Sequence, residues 1–234
     1  GVAFCYGDSM ATTLTPMMQQ YQGIRRTLPE ETILFLFSGK LISRKQPLLL
    51  AEAAAALAKN QRFALCYLGS GELFSTIEGL LRPLLGQRLL MPGFVNQSEL
   101  GRYFAAADVF VLPSAFDTWG LVVNEAMHWG LPCVVSDKTG CHRDLVEPGV
   151  TGFIHAWDNA DELKLHLQRF LDEPDLAARM GRNALARIEP YRIARTTADP
   201  FVRTASAAVV AWILTQALLN IGAVLQLIPI TGVP

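Results

Sequence analysis

Short apolar runs closed by glycine, proline or serine recur from Thr32 to Ile154, and they are apolar at every position rather than at alternate ones. The runs are Thr32–Ser38, Arg62–Leu68, Arg88–Met91, Asp108–Leu112, Pro132–Ser136 and Thr151–Ile154. A strand with one face in water alternates apolar and polar residues, so these strands must be covered on both faces. Segments with helical spacing lie between them: Pro47–Lys59, Glu72–Leu85, Ser98–Ala106 and Leu121–His128, then Ala160–Leu171 and Pro174–Arg187. Pro47 suits a first helical position, where its missing N–H costs nothing. Strand and helix in this alternation predict an α/β fold, a doubly wound parallel sheet built from βαβ units.

Charge divides the chain differently. All 20 Lys and Arg and all 21 Asp and Glu precede residue 204, so the 18% charged content describes a soluble part and an uncharged tail. Residues 204–230 exceed the roughly 20 apolar residues that cross a bilayer, and the expectation there is a transmembrane helix. Arg192, Arg195 and Arg203 precede it, which places its N-terminal end in the cytosol by the positive-inside rule. A buried hairpin or helix of a soluble chimera is the alternative for this stretch. Residues 1–30 show weak periodicity and read as a linker, residues 31–190 as the α/β domain and 191–203 as a second linker. The opening residues show no signal peptide, and the missing initiator Met fits a fragment or processed chain. A net charge of −1 gives no electrostatic reason for a nucleic-acid partner. Cys5, Cys66, Cys133 and Cys141 form no CxxC pair, which argues against a zinc site or disulfide framework and for a reducing compartment.

Ligands of a doubly wound sheet gather at the carboxyl ends of its strands. The first strand ends in Gly39-Lys40-Leu41, with Lys45 two residues before Pro47, so two cations stand near a helix N-terminus. Unpaired N–H groups there favour an anion, and phosphate binding is the functional reading. From this segment alone, two merely solvated lysines are the simpler reading. Gly69-Ser70-Gly71 after the second strand would let backbone approach a ligand, and Phe94 after the third could flank a flat ring or fill a core. Asp117 lies in the loop after the fourth strand, and Glu125 follows in the next helix with seven residues between. Two such carboxylates can accept hydrogen bonds from the hydroxyls of a sugar and a ribose. A helix cap at Asp117 and a solvated Glu125 remain open beside that. Ser38, Ser114 and Ser136 lie near strand ends without a histidine in the same motif, so no nucleophile–base pair is apparent. His128, His142, His155 and His166 read as surface or core residues.

Taken in order, Gly39-Lys40-Leu41…Lys45, Gly69-x-Gly71, Gly93-Phe94, Ala107–Ser114, Asp117…Glu125-Ala126-Met127, Gly130-Leu131-Pro132 and Gly149-x-Thr151-Gly152-Phe153 resemble the C-terminal domain of family 4 glycosyltransferases. The likeness runs from about Thr32 to Arg187. These are retaining enzymes of the GT-B architecture, in which two Rossmann-like domains face each other across a cleft. The resemblance implies a UDP- or GDP-sugar donor and no metal or other cofactor. By it, Lys40 (usually Arg in the family) and Lys45 would hold the donor diphosphate, with Gly39 and Gly71 in the surrounding loops. Asp117 and Glu125 would form the catalytic acidic pair, Asp117 on sugar hydroxyls and Glu125 on the ribose. Backbone at Trp119, Gly120 and Leu121 would meet sugar or phosphate oxygens, and backbone near Phe94 the base. The family's N-terminal acceptor domain has no counterpart, and only Tyr6-Gly7-Asp8-Ser9 is vaguely similar to the junction before this domain. The likeness stops near Tyr191.

Asp199-Pro200-Phe201, Ala211-Trp212-Ile213, Asn220–Val224 and Leu227–Pro234 resemble part of the SEDS membrane peptidoglycan polymerases, without the part bearing their catalytic carboxylate. The expected protein is therefore the donor-binding half of a glycosyltransferase at the cytoplasmic face of a bacterial inner membrane. Its expected partners are a nucleotide sugar, a separate acceptor domain and a lipid or glycan acceptor. The alternatives are a non-catalytic sugar-nucleotide binding module and a chimera or fragment containing a piece of a cell-wall polymerase.

Overall fold

A computed structural model of the chain describes residues 23–29 and 31–188, together with Ala208, Ala211, Trp212 and Thr215, which are helical. The chain divides into two compact units, Gly1–Arg187 and Ile188–Pro234, and the first holds the sheet. The expected membrane span lies outside the described residues apart from the four just named, as do residues 1–22 and the linker 191–203. Among the described residues no helix is long and apolar enough to cross a membrane.

Six parallel strands form the sheet: β1 Ile33–Ser38, β2 Phe63–Leu68, β3 Leu89–Gly93, β4 Val109–Leu112, β5 Cys133–Ser136 and β6 Gly152–His155. Their order is β3-β2-β1-β4-β5-β6, so the winding reverses between β1 and β4. The helices are α1 Pro47–Ala56, α2 Phe74–Leu85, α3 Gln97–Ala106, α4 Leu121–His128, α5 His142–Leu145, α6 Ala160–Asp172 and α7 Leu176–Ile188. All six expected strands and six expected helices are present, with ends shifted by a few residues. α1 stops at Ala56 instead of Lys59, because Leu57 and Ala58 donate three residues back and tighten the chain into turns. The single turn α5 and the 3₁₀ turn Ser43–Lys45 are too short to show a periodicity.

Neighbouring positions of β1 and β2 point to opposite faces, and Leu34, Phe35, Leu36 and Phe37 are all buried, so both faces are covered. On one face Phe35 meets Phe63 and, edge-on, Phe170 of α6, while Phe37 lies 5.4 Å from the Tyr67 ring. Tyr67 is fully buried, and its hydroxyl donates to the Pro47 carbonyl at 2.9 Å, fixing the start of α1 over the strand ends. Burial pushes that phenol well above its usual pKa, so it stays a donor. Residues 23–29, which read as linker, are tied to the residues beside β1 and β4: Leu28 is buried, and Arg25 pairs with Asp108 and donates to the Thr32 carbonyl. Asp108 also accepts from the Leu34 N–H at 2.7 Å.

At the far edge His155 ends β6, buried, with Nδ1 2.8 Å from the Ala156 carbonyl and Nε2 without a hydrogen-bond partner. Since a carbonyl only accepts, Nδ1 carries the proton. Burial lowers the pKa below 6.5; His166 pushes the same way, against the Ala156 carbonyl, Glu162 and Asp137. Burial lowers His166 as well, stacked flat on Phe153 at 4.6 Å. Unfolding releases both rings to bind protons more readily, so stability is full above about pH 6.5 and declines as pH falls through that value. Urea midpoints measured from pH 8 to 5 should show this decline, and His155→Asn should make it shallower.

Candidate functional site

The ends of β1 and β4, where the winding reverses, open into a cleft of about 490 Å³. Lys45 and Gly39 line it from the β1 side, and Asp117, Trp119, Gly120, Leu121 and Glu125 from the β4 side. Ser38, weighed from sequence only as a nucleophile, and Thr118 and Val122, which were not singled out, complete it. The structure thus gathers seven of the ten expected site residues on one surface. Lys40 lies exposed in the loop after β1, outside this lining. Phe94 ends up 76% exposed beyond β3, also outside it, so it fills no core.

Gly71 is likewise not part of the lining, and its glycine has a packing cause. A Cβ there would stand 2.3 Å from the Leu41 carbonyl oxygen, and one at Gly69 would stand 2.0 Å from that of Gly39. The loops after β1 and β2 press directly together, stitched by Leu41 N–H to Ser70 O at 3.0 Å and Leu73 N–H to Leu41 O at 3.0 Å.

Lys45 is brought to the cleft by the 3₁₀ turn Ser43–Lys45, which Gln46 closes in the left-handed region, φ 50°, before Pro47 starts α1. A non-glycine residue there costs about 1 kcal/mol or more. The Ala115 N–H bonds to the Arg44 carbonyl at 2.9 Å and ties this turn to the β4 loop. Across that tie the Lys45 ammonium pairs with the Asp117 carboxylate; the two side chains are 18% and 15% exposed.

The β4 loop is held in turn by the loop after β5. Asp117 N–H donates to Lys138 O at 3.1 Å, Gly140 N–H to Asp117 O at 2.9 Å, and Cys141 N–H to Trp119 O at 2.9 Å. Beneath them the Ser136 hydroxyl donates to the Ser114 carbonyl and lies 3.2 Å from the Thr139 hydroxyl, all three residues buried. Ser114 and Ser136 are thus structural, and their hydroxyl and carbonyl partners could not be read from spacing.

Asp117 does not cap α4; Gly120 does, with φ 86° and no side-chain bond. The Val123 N–H bonds to the Gly120 carbonyl at 2.8 Å, which leaves the Leu121 and Val122 N–H groups for the cleft those residues line, a positive helix end near Lys45. Val123, Ala126 and Met127 bury one side of α4, and Glu125 on the exposed side faces the cleft. The Trp119 indole N–H donates to Asn124 Oδ1 at 3.0 Å, which fixes that ring at the rim. Among the described residues no three metal-ligating side chains stand together. Cys66 is buried in β2 with its thiol pushed up by desolvation, and burial likewise holds the Cys141 thiol up at about 12, so neither is a nucleophile.

A six-stranded parallel sheet wound in both directions from β1 and β4, with its cleft at the reversal point, defines a Rossmann-like α/β domain. The chain belongs to the family glycosyl transferases group 1, whose profile matches residues 23–187. It is 32% identical over 198 residues to a D-inositol 3-phosphate glycosyltransferase of Streptomyces griseus, covering 78% of this chain and 41% of that protein. It is 32% identical over 151 residues to a UDP-Gal:alpha-D-GlcNAc-diphosphoundecaprenol alpha-1,3-galactosyltransferase of Escherichia coli, covering 62% and 38%. Sucrose-phosphate synthase from Thermosynechococcus elongatus superposes with a TM-score of 0.65 at 27% identity, over 86% of this chain and 49% of that one. The chain therefore spans about two fifths of these curated relatives and half of that structure. The sheet is the counterpart of one half of a GT-B molecule.

Gly120, in the lining itself, also depends on its missing side chain. A Cβ there would meet Thr139 Cγ2 at 2.7 Å from a left-handed backbone. Gly120→Ala should cost about 1–3 kcal/mol of stability in urea unfolding.

Proposed function

We propose that this chain is the donor-binding half of a retaining glycosyltransferase that takes hexose from a UDP- or GDP-sugar. The observation that supports this best is the meeting of Lys45, Asp117, Glu125 and the α4 N-terminus on one cleft. Lys45 and the α4 amides offer positive charge to a diphosphate, Asp117 accepts from sugar hydroxyls and Glu125 from the ribose. Lys40 adds long-range attraction from the edge. The retaining course, the metal-independent chemistry and a base near Phe94 rest on the family resemblance. Transfer further requires an acceptor held against the donor with water excluded, and such orientation accounts for roughly 7–11 kcal/mol of a barrier. A second, acceptor-binding domain supplies that in this reading, and the chain alone transfers weakly or not at all. Isothermal titration of the full chain in detergent with UDP- and GDP-sugars should give weak, saturable binding. Lys45→Ala and Glu125→Ala should each weaken it about five- to tenfold. No saturable binding of any nucleotide sugar would overturn the reading.

The apolar residues 204–230 support a membrane anchor, with this domain on the cytoplasmic face of a bacterial inner membrane and a lipid-linked or glycan acceptor nearby. The Escherichia coli relative, whose name gives a diphosphoundecaprenol acceptor, is consistent with that setting. The tail's resemblance to the membrane peptidoglycan polymerases is a sequence likeness alone and supports a span, not a second activity. After expression in bacteria, the chain should stay in carbonate-washed membranes, and a chain ending at Arg195 should be released. Recovery of the full chain in the soluble fraction as a folded monomer would refute the anchor.

A further inference from the structure

The donor-binding reading assigns Lys45 to a diphosphate, yet in the structure its ammonium is already paired with Asp117. Asp117 is not free to leave when that pairing is broken. Its N–H and carbonyl are both committed to the loop after β5, at Lys138 and Gly140, and Ala115 just before it is bonded to Arg44. The main chain of Asp117 therefore stays at the cleft, and its carboxylate, 15% exposed in the pair, remains within a side chain's reach of whatever enters. A half-buried carboxylate that loses its cation is destabilised until another donor reaches it.

Two kinds of nucleotide would meet this arrangement differently. A nucleoside diphosphate that draws Lys45 away leaves Asp117 unpartnered and adds negative charge close to it. A nucleotide sugar draws Lys45 away equally but brings hydroxyl donors to the same carboxylate. We infer that Asp117 is an internal competitor for Lys45, and that this ion-pair exchange makes the cleft favour a sugar-bearing nucleotide over the bare nucleoside diphosphate. The inference rests on the donor-binding reading and adds to it a means of releasing the spent nucleotide.

The test measures affinities of the full chain in detergent for UDP and UDP-glucose, and for GDP and GDP-mannose, using the pair that the unaltered chain binds better. Asp117→Asn should raise affinity for the bare diphosphate about threefold to tenfold and lower affinity for the sugar nucleotide, collapsing the ratio between them. In a Lys45→Gln background the same substitution should give little or no gain for the diphosphate, because no ammonium is left to release. Asp161→Asn removes an equal charge from the exposed Asp161–Lys164 pair on α6 and should change neither affinity. Circular dichroism spectra matching the unaltered chain establish that the variants fold. Diphosphate affinity unchanged or reduced in Asp117→Asn overturns the exchange, as does a gain that persists undiminished with Lys45→Gln. Failure of the unaltered chain to bind either pair overturns the donor-binding reading instead.

Discussion

Everything proposed for the cleft hangs on a backbone clasp between the loops that follow β4 and β5. Three main-chain hydrogen bonds, Asp117 to Lys138, Gly140 to Asp117 and Cys141 to Trp119, lock the middle of a loop whose start is tied to Arg44 through Ala115. Loops carry function because they tolerate variation, but a site needs them rigid. Here rigidity comes from main chain, so the Asp117 side chain is left for Lys45 and for the cleft. Glycine is what lets the clasp close: a Cβ on Gly140 would lie 2.0 Å from the Thr118 carbonyl oxygen.

The clasp in turn rests on the sheet. β4 and β5 are adjacent and parallel, so both loops leave the same edge and run side by side. Because β1 is β4's other neighbour, the Ser43–Lys45 turn arrives at that edge as well, and Ala115 bonds to it. Tyr67 reaches from β2 to hold Pro47, which keeps α1 and the turn before it from sliding along the strand ends. Candidate site residues from distant parts of the chain, Lys45 and Asp117, thus meet through a chain of contacts that begins in the buried aromatic layer.

Electrostatics at the cleft is balanced rather than one-signed. Lys45 and the open end of α4 favour an anion, while Asp117 and Glu125 oppose a bare one. In the donor-binding reading such opposition sacrifices affinity for discrimination, since a ligand without hydroxyl donors leaves the Asp117 charge unpartnered.

Strand and helix identities were legible in the sequence because doubly apolar runs such as those of β1, β2 and β4 are stable only under helices on both faces. Lys45 and Asp117 were legible as candidates because ligands of such a sheet gather at the carboxyl ends of its strands, and Glu125 by its spacing from Asp117. What each one does next to the others was not. That Asp117 pairs with Lys45 and leaves the helix cap to Gly120 depends on the reversal of strand order between β1 and β4, a long-range fact invisible to local spacing. The glycines show the same division. Turn-like segments at Gly69–Gly71 and Gly120 were readable, but whether each faces a ligand or another loop is decided only when sheet pairing sets the distance between main chains. Short turns such as Ser43–Lys45 and His142–Leu145 were lost altogether, because one turn of helix carries no period and forms only when neighbouring loops hold it.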